Sequence, residues 1–149
     1  MKRVAIVLAS LLAINSVKAD ELSAIGHGFS YHLDNHNFNQ ENYGFGLRFE
    51  RDDIGVQAGT FYNSVRKDST YAIVDWSPLQ TESFGCFKAE AGLFAGAATG
   101  YLHPVIPVAG LQSAIKCGNV FARVRVAPDP YYNSKVVGAV ELGLTVYKF

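Results

Sequence analysis

Hydrophobic and polar residues alternate along most of the chain after residue 20. In residues 43–50, aromatic and leucine side chains take one set of alternate positions, while glycine, arginine and glutamate take the other. The same period of two recurs in residues 120–126 and 140–146. Such a period turns successive side chains to opposite faces of a β-strand. The pattern predicts strands at about residues 22–33, 43–51, 54–62, 70–77, 83–98, 104–117, 119–127 and 136–149.

Turn residues separate the predicted strands, and no helical periodicity interrupts them. Regularly spaced short strands of this kind are typical of an all-β barrel or sandwich. We expect residues 20–149 to form one domain, an eight-stranded, up-and-down antiparallel barrel. Alternation alone leaves two arrangements open, because a soluble lipocalin-like barrel turns its apolar face inward, whereas a transmembrane barrel turns it outward against lipid.

The lengths of the connections favour the transmembrane arrangement. Very short turns follow the second strand (Asp52-Asp53) and the sixth (Gly118). Connections that are generally longer and polar follow the first, third, fifth and seventh strands, at residues 34–42, 63–69, 100–103 and 128–135. Short turns at one end and longer loops at the other are the pattern of outer-membrane barrels. The aromatic residues also fall into two bands near the two ends, as expected at the two interfaces of a membrane.

The last predicted strand ends in Tyr147-Lys148-Phe149, which resembles the sorting signal of outer-membrane barrels. Tyr147, Phe149 and Glu141 occupy the same set of alternate positions along the strand. An unbroken strand that turns the two aromatic rings toward lipid would therefore turn this carboxylate toward lipid as well, which is unfavourable. A bulge at Gly143 would remove the conflict. Charges on the polar faces would then pair inside the barrel, namely Arg48, Lys88, Arg123 and Arg125 with Glu50, Asp75, Glu90 and Glu141.

Residues 1–19 have the features of a secretory signal peptide. Lys2 and Arg3 form a basic start, residues 4–17 form an apolar run, and Val17-Lys18-Ala19 is a small-residue cleavage site. The apolar run is too short to span a bilayer as a helix. We therefore expect export of the chain and its insertion in the cell outer membrane.

Net charge and the cysteines narrow the function classes further. The net charge is +0 and the basic residues are scattered, which argues against a nucleic-acid partner.

Cys86 and Cys117 lie equally far from a turn near Tyr101, so a hairpin centred there would place them opposite each other. In an oxidising compartment this arrangement predicts a disulfide. Two buried free thiols or a metal pair are the alternatives, and no nearby His or Cys supports a metal.

Several short patches carry a resemblance to a known family. In chain order they are His27, Tyr43-Gly44-Phe45-Gly46, Phe61-Tyr62-Asn63-Ser64, a small-residue strand at 91–96 that leads to Gly100-Tyr101, Pro104-Val105-Ile106-Pro107-Val108, Ala127-Pro128 and the Tyr-x-Phe terminus. In this order they resemble the outer-membrane lipid A palmitoyltransferases. Members of that family are eight-stranded barrels that move an acyl chain from phospholipid to lipid A.

The resemblance implies a functional trio of His, Asp and Ser at the outer end of the barrel. By position the His falls on His27 and the Ser on Ser64, whereas the Asp position holds Asn63. His27 would act as general base, and Ser64 would position the substrate or stabilise an oxyanion. Asn63 cannot act as a carboxylate, although its amide can orient an imidazole. The alternatives are an interfacial histidine for His27 and an ordinary turn for Asn63-Ser64.

The prolines indicate a weakened seam between the sixth and seventh strands. Proline has no N–H, so Pro104 and Pro107 on one strand remove ladder hydrogen bonds near the loop end, and Pro128 and Pro130 do the same on the next. The family that the chain resembles admits a lipid chain through seams of this kind. Ordinary strand termination is the alternative reading.

Two basic residues in the second outer loop complete the predicted site. Arg66 and Lys67 would meet the phosphates of lipid A, unless they are simply solvated.

The sequence therefore predicts a monomeric outer-membrane barrel that acts on or binds lipid, with phospholipid and lipid A as partners and no metal or diffusible cofactor. Two other functions stay open. One is a non-catalytic barrel that modifies the cell surface, and the other is a soluble periplasmic carrier with an apolar cavity.

Overall fold

The computed structural model describes residues 21–33, 37–129 and 134–149. Each strand pairs with the next in antiparallel register, and the last strand closes on the first, so the predicted eight-stranded up-and-down barrel is confirmed. The predicted signal peptide at residues 1–19 lies outside the described residues. Within the described residues, no helix is long and apolar enough to cross a membrane. The strands are β1 (Glu21–His32), β2 (Glu41–Arg51), β3 (Ile54–Tyr62), β4 (Asp68–Gln80), β5 (Phe87–Thr99), β6 (Val105–Cys117), β7 (Val120–Asp129) and β8 (Ser134–Lys148).

The barrel has polar side chains inside and apolar side chains outside. Phe45 is 72% exposed on the outer surface, and Leu111 and Leu142 are similarly exposed. Arg48 and Glu141 are each only 2% exposed, because their side chains fill the interior. A soluble lipocalin-like barrel would show the reverse arrangement. The alternation in the sequence is therefore that of a barrel whose apolar face points away from its interior.

A bulge near the end of β8 turns Glu141 inward. Leu22 pairs with Tyr147, but the next residue of β1 pairs with Thr145, so Val146 is the extra residue. Val146 and Tyr147 are consequently both exposed, while Glu141 and Thr145 are buried. β8 therefore contains a bulge, as predicted, but the predicted position at Gly143 is wrong. Gly143 instead leaves room for the ring of Phe121, which an added Cβ would overlap.

A second irregularity, in β1, decides which side chains reach the site described below. His27 pairs with Glu141 while Phe29 pairs with Val140, so Gly28 is an extra residue relative to β8. The bulge reverses the parity of the strand. His27 before it and His32 after it therefore both turn to the interior, although they are separated by an odd number of positions.

Charged side chains pair in the interior of the barrel and toward its turn end. Arg48 binds Asp75 and also donates to Glu50 Oε2 at 2.8 Å, and Lys88 lies 3.8 Å from Glu90. Arg125 pairs with Glu141 and lies 3.4 Å from Asp75. The predicted internal pairing therefore holds for these residues. The guanidinium of Arg123 makes no hydrogen bond within the described part of the chain.

The predicted disulfide between Cys86 and Cys117 is present, with 4.8 Å between the two Cα atoms. Cys117 pairs with Phe87 in the β5–β6 ladder, so Cys86 lies one residue beyond the position directly opposite. The bond ties the segment before β5 to the short turn between β6 and β7. It therefore lies at the end of the barrel opposite the long loops.

Candidate functional site

A serine, a histidine and an aspartate meet at the loop end of the barrel. Ser64 Oγ lies 2.8 Å from His32 Nε2. The other ring nitrogen, His32 Nδ1, lies 3.5 Å from Asp129 Oδ2. His32 and Ser64 are buried and Asp129 is largely so. This is the order of contacts in a nucleophile–base–orienter triad, in which one ring nitrogen faces the hydroxyl and the other faces the carboxylate.

The 3.5 Å separation is too long for an ordinary hydrogen bond, and His32 Nδ1 has no hydrogen-bond partner within the described residues. Catalytic hydrogen bonds are often long in the absence of substrate and tighten when it binds. The arrangement therefore allows His32 to accept the proton of Ser64 at Nε2, while Asp129 favours a proton on Nδ1.

Asn63 builds the turn that presents Ser64. Its side chain is fully buried and makes four hydrogen bonds. Nδ2 donates to Ser69 Oγ and to the Gly100 carbonyl, both at 2.9 Å. Oδ1 accepts from the backbone N–H groups of Val65 at 3.0 Å and Lys67 at 2.9 Å. The amide therefore has a donor side and an acceptor side that are both used, and its role in this structure is to hold the turn.

Asn63→Asp is expected to lower the stability of the barrel and not to raise activity. A carboxylate cannot donate, so two hydrogen bonds would be lost and a negative charge would face the Gly100 carbonyl. Leaving buried groups unsatisfied costs about 1–3 kcal/mol. Thermal unfolding of the purified barrel would measure the loss, with Asn119→Asp in an exposed turn as the charge-matched control. A gain of activity in Asn63→Asp would instead support a catalytic carboxylate at this position.

His27, the histidine predicted as general base, lies deeper in the interior. Its Nε2 lies 2.7 Å from the hydroxyl of Tyr71, and its ring packs against Phe61 with 5.6 Å between centroids. The hydroxyl of Tyr71 fits a hollow between two strands, because a Cβ at Gly46 or Gly59 would collide with it. The hydrogen bonds that the structure gives to Ser64 Oγ lead to His32 and Ser30. The two predicted residues are thus in the same barrel interior but are not hydrogen-bonded partners in the described residues.

The site borders a cavity of about 180 Å³ inside the barrel. His32, Ser64 and Asp129 lie at its loop end, and Arg125 and Glu141 lie toward the barrel centre. Between them the walls are largely apolar, as in pockets that take hydrocarbon groups. The apolar lining residues include Phe61, Ile73, Phe94, Ala98, Ile106, Val108, Ala127 and Val137.

The ladder between β6 and β7 ends before the strands do. Its pairs run from Leu111–Val126 to Cys117–Val120, although β6 begins at Val105 and β7 continues to Asp129. On their other sides these strands stay paired, β6 with β5 as far as Val105 and β7 with β8 as far as Asp129.

The unpaired stretch coincides with the predicted proline seam. Pro107 and Pro128 lie on it and line the cavity. Pro104 lies exposed just before β6. Pro130 lies outside the described residues.

Arg66 and Lys67 are exposed in the same turn as Ser64. Arg66 has a positive φ of 60°, which marks the tight reversal between β3 and β4. Both cations therefore lie at the outer rim, close in sequence to the serine.

His32 and Asp129 were not among the residues that the sequence predicted for the site. Neither the four scattered histidines of the sequence nor an aspartate between two prolines forms a recognisable motif. The bulge in β1 and the closure of the barrel bring them to Ser64.

No protein-family model matches this chain, and no curated protein does. The resemblance to the lipid A palmitoyltransferases therefore rests on the sequence patches alone. Among solved structures, the chain is similar to the N-terminal β-barrel domain of Pseudomonas aeruginosa OprF. The identity is 12%, the match covers 86% of this chain and 99% of that one, and the TM-score is 0.47. The eight-stranded barrel fold follows from the strand pairing of this chain and does not depend on that similarity.

Proposed function

We propose that this protein is an outer-membrane barrel that transfers an acyl group from a lipid ester, as the lipid A acyltransferases do. The observation that carries the proposal is the Ser64–His32–Asp129 arrangement at one end of an apolar cavity, with 2.8 Å between Ser64 Oγ and His32 Nε2. Each element alone is common. Acyl transfer needs a buried nucleophile, its base and a hydrocarbon-lined pocket in one place.

The exterior of the barrel supports a location in lipid. Large apolar side chains cover the outer surface along the strands, while charged side chains are inside. Aromatic residues lie near both ends of the strands, including Tyr31 and Tyr43 at the loop end and Trp76, Tyr147 and Phe149 at the turn end. Paired aromatic bands around an apolar belt are characteristic of outer-membrane barrels. Export by a cleaved signal peptide at residues 1–19 is part of this proposal.

The seam between β6 and β7 supplies a route for the acyl chain. Beyond Leu111 and Val126, the described residues of β6 and β7 form no further ladder pairs with each other. The cavity is lined there by Pro107 and Pro128, neither of which has an N–H to pair. A lipid chain would enter sideways from the membrane with its ester near Ser64.

The chemistry would follow from the contacts. Ser64 Oγ attacks the acyl carbonyl carbon while its proton passes to His32 Nε2. The bond from that carbon to the lipid oxygen breaks, and this oxygen takes the proton from His32. The acyl–Ser64 ester is then attacked by an acceptor hydroxyl, whose proton passes to His32, and His32 returns that proton to Ser64 Oγ as the bond between Oγ and the acyl carbon breaks. Asp129 orients the ring throughout, and Arg66 and Lys67 would bind phosphate groups of lipid A as the acceptor.

The lipids of cells that express the chain test the proposal. Lipid A with one additional acyl chain, together with lysophospholipid, is expected for the natural sequence and for Ser113→Ala, an exposed serine on the outer face of β6. Both products are expected to be absent for Ser64→Ala. His27→Ala distinguishes the two candidate bases. A base at His32 predicts that His32→Ala loses activity and that His27→Ala keeps it, whereas a base at His27 predicts the reverse.

Unchanged lipids in cells with the folded protein in the outer membrane would contradict acyl transfer. That outcome would favour a non-catalytic barrel that modifies the cell surface. Release of the protein by osmotic shock would favour the soluble carrier.

A further inference from the structure

We propose that Ser30, held by Asn42, is a positioning residue that controls where Ser64 directs its proton. The inference rests on the proposed function, in which Ser64 is the nucleophile. All three side chains are buried and line the cavity. Ser30 Oγ lies 3.2 Å from Ser64 Oγ, and the bulge in β1 turns it inward beside His32.

The orientation of the Asn42 amide determines which way the Ser30 hydroxyl points. Asn42 Nδ2 donates to the Tyr62 carbonyl at 2.9 Å, so the amide oxygen is the atom that faces Ser30. Oδ1 has no hydrogen, and therefore Ser30 must donate in the 2.5 Å contact between them. The single proton of Ser30 is thus committed to Asn42, and toward Ser64 its oxygen presents only lone pairs.

Ser64 consequently has one proton and two acceptors. It can donate to His32 Nε2 at 2.8 Å, which is the orientation that reacts. It can instead donate to Ser30 Oγ at 3.2 Å while accepting a proton held on His32 Nε2. In the second state the bare Nδ1 of His32 faces the carboxylate of Asp129 at 3.5 Å, which is unfavourable. Asp129 therefore favours the reactive state and the Ser30–Asn42 pair favours the resting one.

Removing the competing acceptor should make Ser64 more reactive. Ser30→Ala is expected to speed the labelling of Ser64 about two- to twelvefold, which is the effect of one ordinary hydrogen bond. Ser30→Thr keeps the hydroxyl and suits a β-strand, so it should return the rate to that of the natural sequence. A role in packing alone predicts the opposite sign for Ser30→Ala, because disturbing the site would slow the reaction.

The experiment measures the rate at which a lipophilic fluorophosphonate labels the full-length barrel in detergent, with the labelled residue identified by mass spectrometry. Heat-modifiable migration on a gel shows that each variant is folded. Ser30→Cys is the second variant if Ser30→Ala does not fold, because sulfur is a weak acceptor and should also speed labelling.

Labelling of Ser64 at an equal or lower rate in Ser30→Ala, or in Ser30→Cys if that variant takes its place, would overturn the inference and leave the proposed function standing. If the natural sequence is not labelled at Ser64 while Ser64→Ala is equally inert, the proposed function fails, and the inference fails with it.

Discussion

Asp129→Asn should lower kcat for acyl transfer by about 10⁴-fold, the loss seen when the orienting carboxylate of a Ser–His–Asp triad becomes an amide. The change keeps the shape of the side chain. It replaces a carboxylate that favours a proton on His32 Nδ1 with a group that can donate to that nitrogen and select the wrong tautomer. Lipid binding should be little affected, since the apolar walls of the cavity and the shape of the side chain at position 129 are unchanged.

The measurement is the steady-state rate of acyl release from a phospholipid by the purified barrel, for the natural sequence and for Asp129→Asn. Asp68→Asn removes an exposed carboxylate at the same rim and should leave the rate unchanged. A loss of less than tenfold in Asp129→Asn would show that the 3.5 Å contact between His32 and Asp129 does not serve the reaction.

A second large effect is expected in the barrel interior, where two arginines on β7 differ in their surroundings. Every nitrogen of the Arg125 guanidinium is hydrogen-bonded. Nε donates to Gln112 at 3.1 Å, Nη2 donates to Gln57 at 3.0 Å and Nη1 pairs with Glu141. Arg123 is 0% exposed, and its guanidinium nitrogens have no hydrogen-bond partner in the described residues.

Arg125→Met is therefore expected to destabilise the barrel by about 3–5 kcal/mol, because it leaves Glu141 buried without its partner. Arg123→Met removes a buried cation that makes no hydrogen bond, and it should be neutral or stabilising. Urea unfolding of the barrel in lipid vesicles compares the two free energies of unfolding. Equal losses in the two variants would contradict the account of the interior network.

Much of the fold could be predicted from the sequence because it depends on short-range patterns. The alternation around Phe45 and Arg48 determines which side chains share a face, whatever the rest of the chain does. Neighbouring strands pair with neighbours, so the disulfide between Cys86 and Cys117 could be predicted from one hairpin. The early end of the ladder between β6 and β7 could also be predicted from the sequence, since Pro107 and Pro128 have no N–H to donate to a ladder wherever they lie.

Bulges limited what else could be predicted. A single inserted residue reverses the parity of everything after it. At Val146 the insertion resolved the conflict over Glu141 at a place other than the predicted glycine. At Gly28 the inserted residue turns His32 to the interior. In an unbroken strand with His27 pointing inward, His32 would point outward, because five positions separate the two residues.

The sequence by itself determined an all-β chain of eight strands, which of its faces are polar and which apolar, and the cysteine pair, since all of these depend on residues that are near one another along the chain. Only the tertiary structure decided the candidate site. Ser64 is 32 residues from His32, and Asp129 lies on a strand that reaches β1 only because β8 pairs with both. Their meeting depends on closure of the barrel, which the alternation predicted, and on the bulge at Gly28, which no local pattern encodes.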